Sequence, residues 1–483
     1  MLFSEPVFLF TFLPILLLVY FCTPQGLRNI LLLCASILFY AWGEKVFVLV
    51  ILASIAFNYL LALALGRAPS RGRANALLAI AVSCNLALLI ACKYAAFLVA
   101  NVNDLLLLLR LSPMAIPSVH LPLGVSFFTF QAMSYVVDVY RGEVKPQRNL
   151  VDFALYIALF PRLIAGPIVR YQDIEAELAS RRITRAGFAD GIRRFVGGLG
   201  KKVILADSVA LVADRIFAAS GHHLSAGAAW LGAVSYTLQI YFDFSGYSDM
   251  AIGLGRMFGF SLPENFNYPY TARSLTEFWR RWHMSLSTWF RDYLYIPLGG
   301  NRCKPARVYA NLVTVFLLCG LWHGASWTFV VWGLFHGGFL LLERAGMTNW
   351  ITSRPGPLKH VYLLLIVTVG WVFFRCDTLG SAVEFLKAMA GFSAGSEVTY
   401  TAGLYLNAEL ALVLAVGVIG STRVLAPLGR GLALLTGGVA ASFRAVWGMF
   451  VQFAALTCLS LIFLYSVMLM AAHTYSPFLY VHF

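Results

Sequence analysis

The sequence predicts an all-α polytopic membrane protein with about 11 to 12 transmembrane helices, accompanied by re-entrant and interfacial helices. Three observations predict it. Of 483 residues, 60% are hydrophobic and 12% charged, against roughly 25% charged in an average soluble domain, and the mean hydropathy is +0.77. The apolar residues form continuous blocks near the ~20 residues that a helix needs to cross ~30 Å of hydrocarbon. This excludes a β-barrel, whose strands alternate over runs of about ten residues. The basic residues fall in the short connections between blocks, so the net charge of +14 reflects topology rather than a nucleic-acid partner.

The stretches 7 to 23, 46 to 65, 75 to 93, 203 to 219, 227 to 242, 360 to 375, 405 to 422 and 448 to 470 read as spans. Shorter ones at 29 to 42, 121 to 139, 307 to 322 and 327 to 342 read as further crossings. Met1 to Pro6 carries Glu5, no basic residue and no following small-residue cleavage site, so it is not read as a cleaved signal peptide. Arg28, the group Arg67, Arg71 and Arg73, and the group Arg141, Lys145 and Arg148 place their loops in the cytoplasm, which puts the N-terminus outside. The basic clusters 170 to 202, 273 to 307, 344 to 359 and 423 to 444 extend the pattern.

One stretch breaks it. Residues 150 to 168 have Arg148 before them and Arg170 after them, and contain Pro161, Arg162, Gly166 and Pro167. A simple span would leave one basic flank outside, so a segment that enters and returns is expected, its irregular backbone covered by protein or water. From Tyr171 to Lys202, Ile174, Leu178, Ile183, Phe188, Ile192 and Phe195 recur at helical intervals among arginines. That pattern suits a helix lying on the inner membrane surface against anionic lipid, or else a solvated loop. With no repeat and no soluble module, residues 1 to 483 read as a single membrane-embedded domain whose motif-bearing core is about 120 to 345. The eight cysteines show no C-x-x-C or metal-ligand spacing, so neither a disulfide framework nor a metal site is expected.

The segment from Ser274 to Gly300 interrupts the lipid-like chain with charges and His283, and a second histidine, His323, follows inside apolar sequence. Titratable groups at membrane depth are costly and mark function. Were Thr276 to Tyr293 one helix, Trp279, His283, Ser287 and Phe290 would share a face, with Arg280, Arg281 and Arg291 around it. Such a surface suits an anionic thioester donor, whose phosphates arginine grips bidentately; it equally suits an interfacial anchor. His323, between Trp322 and Gly324, suits a general base, or else a buried histidine bonded to a carbonyl. His336 reads as structural. Asp243 and Asp249 in the apolar block need counter-charges, for which the arginines of 273 to 302 are the expected partners. No Gly-x-Ser-x-Gly elbow, P-loop or dinucleotide fingerprint occurs.

Tyr-Phe-Asp-Phe-Ser-Gly-Tyr-Ser-Asp-Met-Ala at 241 to 251, Glu-Asn-Phe-Asn from Glu264, Thr-Glu-Phe-Trp-Arg-Arg-Trp-His ending at His283, Arg-Asp-Tyr-Leu-Tyr-Ile from Arg291 and Gly-Leu-Trp-His-Gly from Gly320 together resemble the membrane-bound O-acyltransferase superfamily. The likeness is to its bacterial alginate O-acetyltransferase branch, and it runs from Met1 through Asp-Val-Tyr-Arg-Gly at Asp138 and Leu-Ile-Ala-Gly-Pro at Leu163 to about Arg375. The resemblance implies a multi-helix disc with a central passage, with His323 serving acyl transfer and His283 beside it. Arg280, Arg281, Trp279 and Trp282 are then substrate-binding candidates, as are Asp243, Asp249, Asn265, Ser287 and Trp322.

It further implies an inner-membrane O-acetyltransferase, N-terminus periplasmic, that takes acetyl groups from acetyl-coenzyme A or another acetyl thioester as donor substrate, with no bound cofactor. Its partners would be membrane lipid, periplasmic acetyl-accepting or acetyl-transferring proteins and an exopolysaccharide, alginate first and cellulose next. Relatives acting on peptidoglycan or teichoic acid share the histidine motifs. The competing readings are a transporter of an acyl carrier or polymer without covalent chemistry, and a scaffold that only recruits periplasmic enzymes. Transporters commonly show two corresponding halves, and the sequence has none.

Overall fold

The computed structural model describes residues 1 to 219, 223 to 392, 400 to 424, 441 to 472 and 478 to 479. The middle of the basic cluster 423 to 444 lies outside them. Among the described residues the chain is helical, with one isolated parallel bridge between Leu224 and Tyr400. Among the described residues, five helical runs are long and apolar enough to cross a membrane, namely Gln25–Gly66, Arg71–Leu108, Pro305–His323, Gly356–Arg375 and Val446–Ala472, and Phe8–Cys22 and Ala408–Gly420 are shorter apolar helices. The chain is a multi-pass membrane protein. Gln25–Gly66, at 42 residues, would be ~63 Å long if straight, twice a bilayer. It is divided instead at Lys45, whose φ of 49° turns the helix Arg28–Glu44 into Val48–Gly66.

The core is built on the 32-residue helix Ala226–Met257, buried over most of its length. The helix Arg185–Gly200 lies antiparallel along it, and four glycines set the approach: a Cβ on Gly246 would sit 2.7 Å from the Gly198 oxygen, and one on Gly253 2.6 Å from the Gly191 oxygen. Small residues let backbones meet this closely. The stretch 171 to 202 is therefore no solvated loop. Its apolar face packs inward, with Phe195 and Leu199 buried, while Arg193 and Lys201 keep more accessible positions.

The entering-and-returning segment takes the form the sequence predicts. Helix Leu150–Ala158 ends at Leu159, a short turn Phe160–Leu163 follows, and an extended stretch leads back to Arg170. Nine residues span only ~14 Å. The helix Val125–Arg141 measures its depth. At one end Gly124, with φ of +71°, abuts the Leu163 carbonyl; at the other, Asp138 accepts 2.8 Å hydrogen bonds from Tyr293, next to the Asp292 that pairs with Arg170. Tip and return thus lie at opposite ends of one helix. Every residue from Phe153 to Val169 is buried, which is the condition for irregular backbone at membrane depth.

Thr276 to Tyr293 is not one helix. Leu275–Trp279 and Met284–Phe290 are separated by a turn, with His283 in the left-handed region at φ 43° and ψ 55°. The break comes from outside the segment. Met284 N–H donates to the Asn265 carbonyl and Asn267 N–H to the Arg281 carbonyl, each at 2.9 Å, so a neighbouring loop pulls the chain open on both sides of the histidine.

Candidate active site

His323 is the last residue of Pro305–His323. The next helix, Trp327–Leu342, folds back against it at close range: a Cβ on Gly320 would lie 2.3 Å from the Phe329 oxygen, and one on Gly333 2.3 Å from the Phe316 oxygen. At Gly324 a Cβ would strike the Phe329 ring at 2.0 Å. The small residues around His323 therefore admit a second helix. The imidazole is walled by Trp322, Trp332 and Phe374, with ring centres 5.0, 5.1 and 5.2 Å away.

The last carbonyls of a helix lack intrahelical partners, and a cation near them is favourable. Here Lys93 Nζ donates to the Trp322 and His323 carbonyls at 2.6 and 3.0 Å, and the Tyr94 hydroxyl donates to the Leu321 carbonyl at 2.6 Å. Lys93 thus fixes the backbone that carries the imidazole. The sequence did offer a signal, a lone ammonium at the end of the apolar stretch 75 to 93, but the partner lies 230 residues away. Lys93→Met strands two buried carbonyls at roughly 1 to 3 kcal/mol each. The expected outcome is a lower unfolding temperature and a ten- to hundredfold lower kcat, with Lys93→Arg restoring most of both in thermal-shift and turnover assays.

His283 sits 6.4 Å from His323, ring centre to ring centre, with Phe244 edge-on at 4.6 Å. A left-handed conformation outside glycine costs about 1 to 2 kcal/mol and persists only where the surroundings enforce it. Asn265 enforces it: besides its carbonyl, its side-chain oxygen accepts from Ser285 N–H at 3.2 Å and Ser285 Oγ at 2.7 Å, and Ser285 Oγ accepts from Ile168 N–H at 3.0 Å. Glu343 secures the start of the same segment, accepting from the backbone N–H groups of Leu275 and Thr276 at 2.6 and 2.9 Å and from the Thr276 hydroxyl at 2.6 Å.

Both imidazoles open onto one cavity of about 450 Å³. Trp279, Trp282, Leu312 and Phe316 give it apolar walls, Ser287 adds a hydroxyl, and Arg280, Arg291 and Arg344 line it as well. The three arginines differ. Arg291 Nε donates to Asp292 at 2.6 Å, and that hydrogen bond, then the carboxylate's charge, holds its guanidinium above the ordinary value. Arg344 donates to Asn301 at 3.0 Å. Arg280 is exposed and has no protein partner among the described residues, which leaves its fork available to a ligand.

Of the sequence candidates, Trp279, Arg280, Trp282, His283, Ser287 and His323 line this cavity. Arg281 does not; Thr271 accepts from it at 2.8 Å and Glu277 at 2.5 Å. Asn265 is used in holding Ser285. Trp322 packs edge-on to Phe127 at 5.3 Å, with Lys93 over its ring. His336 is buried against Gly370, where a Cβ would meet Nε2 at 2.5 Å.

The partners of the aspartates differ from those expected. Asp243 is bridged by Lys202 at 2.6 Å, and Asp249 by Arg194 at 2.7 Å and Lys201 at 2.6 Å. The counter-charges come from 194 to 202 rather than from 273 to 302, because the glycine contact lays that stretch along the central helix. Neither aspartate lines the cavity.

The chain matches the family model of MBOAT, the membrane-bound O-acyltransferase family, over residues 144 to 376. Among curated proteins it is 49% identical over 393 residues to the probable alginate O-acetylase AlgI of Azotobacter vinelandii, covering 81% of this chain and 78% of that one. To the protein of the same description from Pseudomonas aeruginosa it is 48% identical, over 81% of this chain and 75% of that one. To the peptidoglycan O-acetyltransferase of Helicobacter pylori it is 37% identical over 428 residues, covering 81% of this chain and 80% of that one.

Proposed function

The chain belongs to the membrane-bound O-acyltransferase family, and from that premise we propose that it moves acetyl groups from a cytoplasmic thioester to the hydroxyls of an exopolysaccharide at the far side of a bacterial inner membrane. It is an O-acyltransferase acting in the membrane. Alginate is the polymer that the relatives near half identity are named for. The observation that carries the reading is the single cavity that joins His323 and His283 to three arginines.

In the proposed reaction, acetyl-coenzyme A or another acetyl thioester enters past Arg280, which holds a donor phosphate, and its apolar arm lies along Trp279 and Phe316. His323 takes the proton of the incoming hydroxyl, the oxygen attacks the thioester carbonyl, the C–S bond breaks, and the thiolate leaves to be protonated. The product is an O-acetyl ester and a free thiol. The acceptor is the serine of a periplasmic partner protein or a sugar hydroxyl. A positioned histidine supplies ~10² to 10⁴ in rate for such a step. His283 orients the thioester. The basic loops support an orientation with the arginine-lined face in the cytoplasm and the N-terminus in the periplasm.

The test is to give the purified protein, in lipid, an acetyl-labelled coenzyme A. Release of free thiol with label on an acceptor supports transfer; an intact thioester that merely changes sides identifies a transporter. For Arg280→Ala the expected outcome is an approximately tenfold higher KM for the donor with kcat within about twofold, the size of one lost charge-assisted hydrogen bond. An unchanged KM removes this arginine from donor binding.

A further inference from the structure

Arg162 is the residue that the reaction above leaves unused. It sits at the tip of the re-entrant segment, is 0% exposed, and none of its Nε, Nη1 and Nη2 atoms has a hydrogen-bond partner among the described residues. Arginine stays protonated in proteins and presents five N–H donors in a planar fork. An unpaired charge enclosed in protein is among the costliest arrangements a fold can hold. Something must therefore meet that fork.

The surroundings say what is already satisfied. The guanidinium carbon lies over the Tyr156 ring, 4.8 Å from its centroid, a contact with the ring's π-face that uses none of the N–H groups as a hydrogen-bond donor. The Tyr156 hydroxyl is turned away, to the Gln131 and Val169 carbonyls at 3.2 and 3.1 Å. Asp173, the carboxylate whose charge reaches Arg162, is committed to Arg170 through hydrogen bonds of 3.1 to 3.3 Å. The backbone cannot shift to help: a Cβ on Gly166 would lie 2.3 Å from the Arg162 Cα, and Phe160 N–H is tied to Ser36 Oγ at 3.1 Å. On the adjacent helix, Thr129 Oγ1 and both amide atoms of Gln131 are buried without partners. The guanidinium thus keeps a buried positive charge that no carboxylate among the described residues is hydrogen-bonded to.

We propose that the tip of the re-entrant segment is a closed binding site for one small carboxylate, held by two parallel N–H···O bonds from the Arg162 fork above the Tyr156 ring. A planar carboxylate matches the fork and supplies the missing negative charge. Full burial of the fork, at 0% exposure, excludes a polymer chain or a nucleotide and leaves a small carboxylate such as acetate. Acetate also has a source nearby, since water intercepting an acetyl thioester releases it. The site is separate from the histidine cavity, whose lining does not include Arg162, and its existence does not depend on which residue is the base.

The experiment is thermal unfolding of the full chain in detergent or lipid, titrated with sodium acetate against sodium chloride at constant ionic strength, together with equilibrium dialysis of labelled acetate. Acetate is expected to raise the midpoint by ~3 °C at saturation, as a ligand binding only the folded state must, and to bind at about one per chain. Chloride should do neither. In Arg162→Gln the shift and the binding should vanish, whereas His323→Ala should keep both. An equal response to chloride overturns the carboxylate assignment, and loss of binding in His323→Ala moves the acetate to the other cavity. If Arg162→Gln does not fold, the wild-type dialysis decides: absence of bound acetate means that water alone hydrates the guanidinium, and the proposal falls.

Discussion

His323→Ala is expected to reduce acetyl transfer by at least the ~10² to 10⁴ of a lost general base, while the protein stays inserted and near wild-type abundance. The ring is walled by three aromatic side chains, and its removal leaves space beside a cavity that already exists, so the fold tolerates the change. The backbone contacts of residue 323, including the Lys93 bond to its carbonyl, do not involve the imidazole. Polymer acetylation in cells and thiol release by purified protein should fall together, with membrane content followed by immunoblot. Normal acetylation in this variant would remove His323 from the chemistry.

Gly320→Ala is expected to be the more damaging change to the fold. The added carbon would lie 2.3 Å from a backbone oxygen and 3.3 Å from the Gly333 Cα, far inside contact distance. No side-chain rotation relieves a clash with backbone, so the helices Pro305–His323 and Trp327–Leu342 have to part. Overpacking of this kind costs typically ~1 to 3 kcal/mol, occasionally more, and the displacement falls one turn before His323. We expect a lower unfolding temperature and a loss of turnover that donor concentration does not rescue. Gly338→Ala, on the second of these helices but with nothing within 4 Å of its added carbon, is the control and should be close to neutral. Equal behaviour of the two would remove the tight crossing as the reason for glycine at 320.

The helical class, the depth-probing segment at 150 to 168 and the shared cavity of the two histidines were legible because each leaves a local mark: apolar blocks, basic flanks on both sides, and polar residues inside lipid-like sequence. What stayed hidden depended on partners distant in the chain. Apolar periodicity runs unbroken through 276 to 293, and only the hydrogen bonds that the Asn265 carbonyl accepts from Met284 and that Asn267 donates to Arg281 cut that helix. Arg280 and Arg281 are chemically identical neighbours, yet Glu277, one turn back, and Thr271 occupy the second, and the first has no protein partner among the described residues. The charge partners of Asp243 and Asp249 follow from a helix crossing, and the role of Lys93 from a contact across 230 positions.

The four glycines of the central crossing act as a ruler. Gly191 and Gly198 are spaced as Gly246 and Gly253 are, and each carbonyl fits only where its counterpart has no side chain; sliding by one turn would drive the bulk of Phe195 or Met250 into backbone. The two helices can therefore mate in a single alignment, chosen by steric exclusion before any charge is involved. Lys201 and Lys202 then reach their carboxylates by geometry alone, so neutralising those ion pairs should weaken the assembly without scrambling it.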